Sequence, residues 1–145
     1  MPADQLADAD IARILRATRR IAVVGASSKP QRASNHVLAF LVGQGYDVTP
    51  VNPGLAGQAI HGRRVVASLA EAGELDMVDL FRASDKVGPA VDEAIRLRAK
   101  AVWMQLGVID EAAAGRARAA GLEVVMDRCP AIEIPRLGLA RSGAA

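Results

Sequence analysis

Apolar positions along this chain fall into two alternating patterns. Short uninterrupted aliphatic runs are separated by longer stretches in which apolar residues recur three and four apart. Residues 8–19 show the second pattern: Ile11, Ile14, Leu15 and Thr18 share one helical face, and Asp8 or Asp10 can cap the start. Residues 21–24 form the first continuous run and stop at Gly25, as expected for a strand covered on both faces. Helical spacing returns over 34–44, with Val37, Leu38, Leu41 and Val42 inward and a stop at Gly43 and Gly45. Residues 46–51 read as a second strand, closed by the turn-forming Asn52-Pro53-Gly54. The stretch 55–75 is the least periodic; it predicts a short strand near 64–66 and a helical turn over 68–72. Further on come a strand at 77–81, a helix over about 85–98 and a strand at 100–105 broken by Gly107. A helix over about 110–119, stopped by Gly121, and a strand at 122–126 complete the pattern. The last ten or so residues read as a tail, frayed over 142–145.

Strands alternating with helices of this length predict right-handed βαβ units and a parallel sheet. The expected fold class is therefore α/β: a Rossmann-like, doubly wound sheet in a three-layer α/β/α arrangement. It would occupy residues 1–145 as one domain, with a core of about 8–137. No internal repeat, linker or low-complexity segment interrupts it.

Composition narrows the range of functions. The 145 residues are 51% hydrophobic and 23% charged, enough to bury a core without disulfides or metal, and at 3% aromatic that core must be aliphatic. The formal charge of +2 and the pI near 9.1 are too mild, and acids too interspersed, to argue for nucleic acid. Both are compatible with a small anionic ligand. Arg supplies 15 of the 18 basic residues, which together with abundant Ala reads as genome composition rather than function. The single cysteine, Cys129, excludes an intramolecular disulfide and a cysteine-clustered zinc site. Asp4, Asp8 and Asp10 stand where a signal peptide would be positive, and no apolar run approaches the ~20 residues of a membrane span. A soluble, cytoplasmic chain with no membrane partner is expected.

In open parallel sheets, ligands bind beyond the carboxyl ends of the strands, where strand order reverses. After the first strand, Gly25-Ala26-Ser27-Ser28-Lys29-Pro30 leads to a helix starting near Ser34. Gly25 permits a tight turn and a close approach to the main chain. Ser27 and Ser34 offer hydroxyls, Lys29 and Arg32 offer charge, and a helix N-terminus favours phosphate. The same loop also reads as an ordinary glycine turn with exposed bases. It is neither G-x-G-x-x-G nor G-x-x-x-x-G-K-[ST]. The second strand ends in Val51, Asn52 and Pro53, with no acid to grip the ribose of NAD; Asp47 lies at the wrong end. After the third strand, Phe81 precedes Arg82, which can meet a phosphate or simply be solvated. After the fourth, Gln105, Leu106 and Gly107 follow Trp103; the indole reads as core, and Gln105 can bond a ligand or brace a loop. Cys129 follows Asp127 and Arg128 at the fifth strand end, as a structural residue or as a nucleophile whose thiol Arg128 would activate and Asp127 oppose.

The stretches IAVVGASSKPQRASNHV, GYDVTPVNPG, VDLFR, AVWMQLGV and VVMDRCPAIEIPRL carry a specific likeness. In that order and spacing the chain resembles the small stand-alone CoA-binding proteins, whose Rossmann-like domain is shared with the α subunit of succinyl-CoA synthetase and with ADP-forming acyl-CoA synthetases. The likeness runs from about Ile21 to Leu137. It implies coenzyme A or an acyl-CoA as the ligand. Phosphates would lie on Gly25, Ala26, Ser27, Lys29 and the Ser34 helix start. The nucleotide would be flanked by Asn52, Pro53 and the loop after Phe81, and the pantetheine arm would face Gln105, Leu106 and Gly107. The synthetases act through a phosphorylated histidine and further domains. Here only His36 and His61 occur, in a first helical turn and in a loop, and neither has a catalytic setting. No G-x-S-x-G elbow or spaced carboxylate pair is present. A non-catalytic CoA-binding module is the expected function. The alternatives are an NAD(P)-dependent oxidoreductase and a CoA-dependent enzyme using Cys129.

Overall fold

The computed structural model describes residues 2–141; the fraying expected over 142–145 lies outside the described residues. The chain runs α1 (Asp8–Ala17), β1 (Arg20–Val24), α2 (Ala33–Gly43), β2 (Asp47–Val51), a hairpin of β3 (Ala59–Ile60) and β4 (Arg63–Arg64), then β5 (Met77–Leu80). It continues with α3 (Gly88–Arg96), β6 (Ala101–Met104), α4 (Glu111–Ala119), β7 (Glu123–Val125) and α5 (Pro130–Arg136). Five strands form one parallel sheet in the order β2-β1-β5-β6-β7. This is the Rossmann-like α/β fold that the alternation predicts. Its strand order reverses between β1 and β5, the switch point at which such sheets open a crevice.

The pleat divides the core in two. Ile21, Val23, Met77, Ala101, Trp103 and Val125 meet α1, α2 and α5 through Ile11, Leu15, Val37, Leu38, Leu41 and Ile134. The alternate residues Ala22, Val24, Val78, Leu80, Val102, Met104 and Val124 meet α3 and α4 through Val91, Ala94, Ala113, Ala114 and Ala117. Cover on both faces is why the strands read as mostly apolar runs, broken in β2 by Thr49 and in β5 by Asp79. Trp103 is fully buried, and its Nε1 donates to the Arg128 carbonyl at 2.8 Å, the core position expected for it.

Several local features differ from the sequence-based expectation. The N-cap of α1 is Ala7, not Asp8 or Asp10; the Asp10 carboxylate caps from inside the helix by accepting from the Ala7 N–H at 2.9 Å. The strand expected at 64–66 is replaced by the β3–β4 hairpin, while Val66 makes one isolated bridge to Val51. Helix α3 starts at Gly88, with Pro89 in its first turn, rather than near 85. Helix α5 was not expected at all. Pro130 opens it at no cost, since the missing N–H would have had no partner. The expected tail packs down in part: Leu137 and Leu139 lie against the core, and the Arg141 guanidinium sits 4.8 Å above the Tyr46 ring.

A buried ion cluster ties the N-terminal segment to the end of the sheet. Both Asp4 carboxylate oxygens accept from Arg128, at 2.8 and 3.0 Å, and also from the N–H groups of Leu6 and Met126. Arg128 reaches Glu133 as well, and Arg136 links Glu133 to Asp8. Burial pushes the Asp4 carboxyl up, but the Arg128 guanidinium and the two backbone N–H groups outweigh it and hold it below its ordinary 3.8. Its contribution is therefore present above pH 3.8 and disappears as pH falls through the lower folded-state value. Asp4→Asn is expected to cost about 3–5 kcal/mol near neutrality, because it leaves Arg128 buried and only partly compensated. In denaturation curves the gap between wild type and variant should narrow in acid.

Asp79 has the opposite sign. It is fully buried between Val23 and Trp103 on the neighbouring strands, and neither carboxylate oxygen has a hydrogen-bond partner. Burial pushes its carboxyl well above 3.8; the nearby Leu80 N–H, outside hydrogen-bond geometry, offsets this only in part. The folded state thus favours the protonated acid, and stability falls as pH rises from 3.8 through the raised folded-state value. Asp79→Asn cannot ionise. Its stability relative to wild type should grow by roughly 1 kcal/mol per pH unit within that window. A difference independent of pH in urea titrations would contradict this.

Candidate ligand-binding cleft

Register aligns the strand ends. Val51, Val24, Leu80 and Met104 stand side by side, so Asn52, Gly25, Phe81 and Gln105 follow in one row along the carboxyl edge. A cleft of about 630 Å³ opens above this row, within the size range of small-molecule sites. Of the thirteen candidate residues, twelve line it: Gly25, Ala26, Ser27, Lys29, Arg32, Ser34, Asn52, Pro53, Phe81, Arg82, Gln105 and Leu106. Gly107 does not. Ala33, Val37, Val108 and Cys129 complete the lining.

Gly25 has a different reason to be glycine than ligand approach. Its φ is +83°, and a Cβ there would lie 2.4 Å from the Phe81 carbonyl oxygen. The chain's own packing excludes a side chain, so Gly25→Val would disturb the fold itself. Beside it, the Gly25 and Ala26 N–H groups both donate to the Val51 carbonyl. Asn52 braces the same corner: its Nδ2 donates to the Ala26 carbonyl at 2.8 Å, and its Oδ1 accepts from the Gly54 N–H. Asn35, which the sequence reading passed over, holds the loop from the other side. Its Nδ2 donates to the Ser27 carbonyl at 2.9 Å and its Oδ1 pairs with His61 Nε2. No hydrophobic periodicity could reveal it, because its role is set by the loop it meets.

At the start of α2 no side chain caps the helix; the N-cap is Arg32. Its hydrogen bonds begin with the Asn35 N–H donating to the Arg32 carbonyl, and Ala33 and Ser34 line the cleft. Uncapped first-turn N–H groups attract anions. Lys29, Arg32 and Arg82 are exposed, form no ion pair with any described residue, and no acidic residue lines the cleft. The cleft wall therefore carries uncompensated positive charge.

The β6 end is neutral. Gln105 is only 6% exposed, and its Oε1 has no partner. Gly107 belongs to a clamp rather than to the lining: its N–H donates to Asp127 Oδ1 at 2.7 Å and its carbonyl accepts from Ser84 Oγ, which also accepts from the Ile109 N–H. Cys129, 7% exposed, is the N-cap residue of α5 and closes the far side of the cleft. Arg128 is held by Asp4 and Glu133 rather than left free to act on Cys129, and Asp127 is engaged with Gly107. His36 is exposed on α2. Among the described residues no three His, Cys, Asp or Glu side chains gather as metal ligands. A second cavity of about 350 Å³ shares Leu106 and Cys129, but of its charged lining residues Asp8, Arg128, Glu133 and Arg136 already pair with one another, and Asp127 accepts from the Gly107 N–H.

A Rossmann-like domain with a basic, acid-free cleft at its switch point is thus the class that fold and site define. Residues 19–135 match the family model described as a CoA binding domain, and the chain belongs to that family. It is 37% identical to the Bacillus subtilis (strain 168) protein YneT over 122 residues, covering 83% of this chain and 89% of that one. Among solved structures it is similar to a hypothetical protein from Pyrococcus horikoshii OT3, at 39% identity and a TM-score of 0.88 over 94% of this chain and 96% of that one. It is also similar to the cell-free protein ID.343 from Thermus thermophilus, at 35% identity and a TM-score of 0.86 over 91% and 99%.

Gly25→Ala is expected to destabilise the fold by about 1–3 kcal/mol, through its positive φ and the contact with Phe81. Gly115→Ala is the control: it sits within α4 with nothing near the added Cβ, and should stabilise by about 0.5–1 kcal/mol. Equal effects in thermal unfolding would contradict the packing account.

Proposed function

We propose that this protein binds coenzyme A or an acyl-CoA as a stand-alone, non-catalytic module. The observation that carries the reading is the charge asymmetry of the cleft. Among the described residues, Lys29, Arg32 and Arg82 have no ion-pair partner around the uncapped start of α2, and no carboxylate lines the cleft beside them. Such an edge suits a pyrophosphate and a further phosphate. The neutral β6 end suits an uncharged arm that carries amides. Gln105 Oε1 is a buried acceptor without a partner, a state that costs about 1–3 kcal/mol, and an amide N–H of the pantetheine arm would satisfy it. Membership of the CoA-binding family supports the same ligand.

Two further features favour binding without chemistry. The cleft lining holds no carboxylate and no imidazole, so general acid–base work has no obvious bearer there. The end of β2 presents Asn52, whose side chain is already engaged by Ala26 and Gly54, instead of an acid for a ribose. A nicotinamide cofactor would therefore find no acid there for its ribose hydroxyls.

Isothermal titration with CoA tests the reading. Lys29→Glu combined with Arg32→Glu changes two exposed, unpaired side chains, and should alter stability by no more than about 0.5 kcal/mol. It is expected to weaken CoA binding at least tenfold, about 1.4 kcal/mol, and to flatten its salt dependence. Wild-type protein that fails to bind CoA, or a charge-reversed variant that binds equally well, would overturn it.

A further inference from the structure

We infer that Cys129 is a thiol-capture site: with the coenzyme seated in the cleft, Cys129 forms a mixed disulfide with the coenzyme's own sulfur. This rests on the CoA-binding reading above and adds a covalent step to it.

Strand order sets the distance. The strand ends follow one another across the edge from β1, through β5 and β6, to β7. Three strand spacings, about 14 Å, separate the ends of β1 and β7 along the sheet edge, and α5, whose first turn Cys129 precedes, packs against α2 on the same face. A pyrophosphate at Lys29, Arg32 and the α2 start leaves the arm to cross Phe81 and Gln105. From phosphorus to sulfur that arm has about a dozen single-file bonds, and at the reach of an extended chain it also spans about 14 Å. The sulfur then falls at the Cys129 end of the cleft.

The second observation is Gln105. It is 94% buried, since only 6% of it is exposed, its Oε1 is unpartnered, and it lines the cleft midway along this path. It marks where the arm lies independently of the cysteine. Cys129 is the only cysteine in the chain, so no internal disulfide competes for it.

The step needs an oxidised co-reactant, which is the symmetric disulfide of the coenzyme. The Cys129 thiolate attacks one of its sulfurs, and the S–S bond breaks as the Cys129–S–S–coenzyme bond forms. The second coenzyme leaves as a thiolate that takes up the proton Cys129 gave up. One disulfide is consumed and one is formed, with no net oxidation. A reducing thiol reverses the step.

The experiment incubates reduced protein with CoA disulfide, or with glutathione disulfide at equal concentration, and follows intact mass over time. Cys129→Ser removes the sulfur and keeps a side chain that helix N-caps prefer. The expected result is one CoA adduct per wild-type chain, formed at least tenfold faster than the glutathione adduct, released by dithiothreitol and absent from Cys129→Ser. Desulfo-CoA in excess, which has no thiol to reverse the exchange, should slow it by occupying the cleft. Two results would overturn the inference: no adduct, or adducts that form at the same rate with both disulfides. Calorimetry with reduced CoA on the same wild-type sample separates the two levels. CoA binding without an accelerated adduct removes only the thiol-capture step, whereas no CoA binding removes the underlying reading.

Discussion

At the carboxyl end of β1 the chain has no room for a side chain. Gly25 passes so close to the Phe81 carbonyl that even a methyl group would overlap it, and its φ of +83° turns the backbone away from the sheet. That close approach lets β1 and β5 run side by side to their last residues while the chain leaves in opposite directions, to α2 on one face and toward α3 on the other. The cleft is the gap this divergence leaves. Asn52, Asn35 and the Val51 carbonyl then fix the first loop from three sides, so the start of α2 is positioned before any ligand arrives. Preorganisation of this kind lowers the ordering cost that binding must otherwise meet.

The opposite end of the edge is held by charge. The loop after β7 turns through Asp127 at φ +59°, and Arg128 is anchored by Asp4, 124 residues away in sequence, and by Glu133 in α5. The Asp127 carboxylate in turn restrains Gly107 and with it the loop after β6. The neutral wall of the cleft is thus tied to the N-terminal segment, which meets it through this cluster and through the apolar packing of Ala3 and Leu6. Burying such a cluster is worthwhile only when nearly every member is paired. Asp79 lies outside this cluster, an unpaired acid in the centre of the sheet whose carboxyl burial pushes well above 3.8.

The sheet, its helices and the row of residues after each strand were legible because a parallel sheet covered on both faces writes continuous apolar runs, and glycine or Asn-Pro ends them. Gly25, Ser34, Asn52, Phe81 and Gln105 could therefore be gathered at one edge without coordinates, and they line one cleft. What stayed hidden is of another kind. Helix α5 carries Pro130 and Pro135, which read as breakers although the first stands where proline is tolerated and the second lies in the last turn. Asn35 looks like an ordinary polar residue in the first turn of a helix, and Ser84 and Asp127 like solvated loop residues; only the loops they meet give them work. Gly107, which the family resemblance places on the pantetheine side, lies outside the cleft lining, its N–H bonded to Asp127 and its carbonyl to Ser84. The pairing of Asp4 with Arg128 leaves no trace in any local pattern.

The central claim is that this cleft distinguishes coenzyme A from nicotinamide and flavin nucleotides. Thermal unfolding in the presence of CoA, acetyl-CoA, NAD, NADP and FMN tests it most directly. A ligand at 100 times its Kd adds about 2.7 kcal/mol, which for a domain of this size raises Tm by roughly 5–10 °C. The account predicts that shift for CoA and acetyl-CoA and none for NAD, NADP or FMN. A shift with NAD as large as with CoA, or no shift with CoA at saturating concentration, would contradict it.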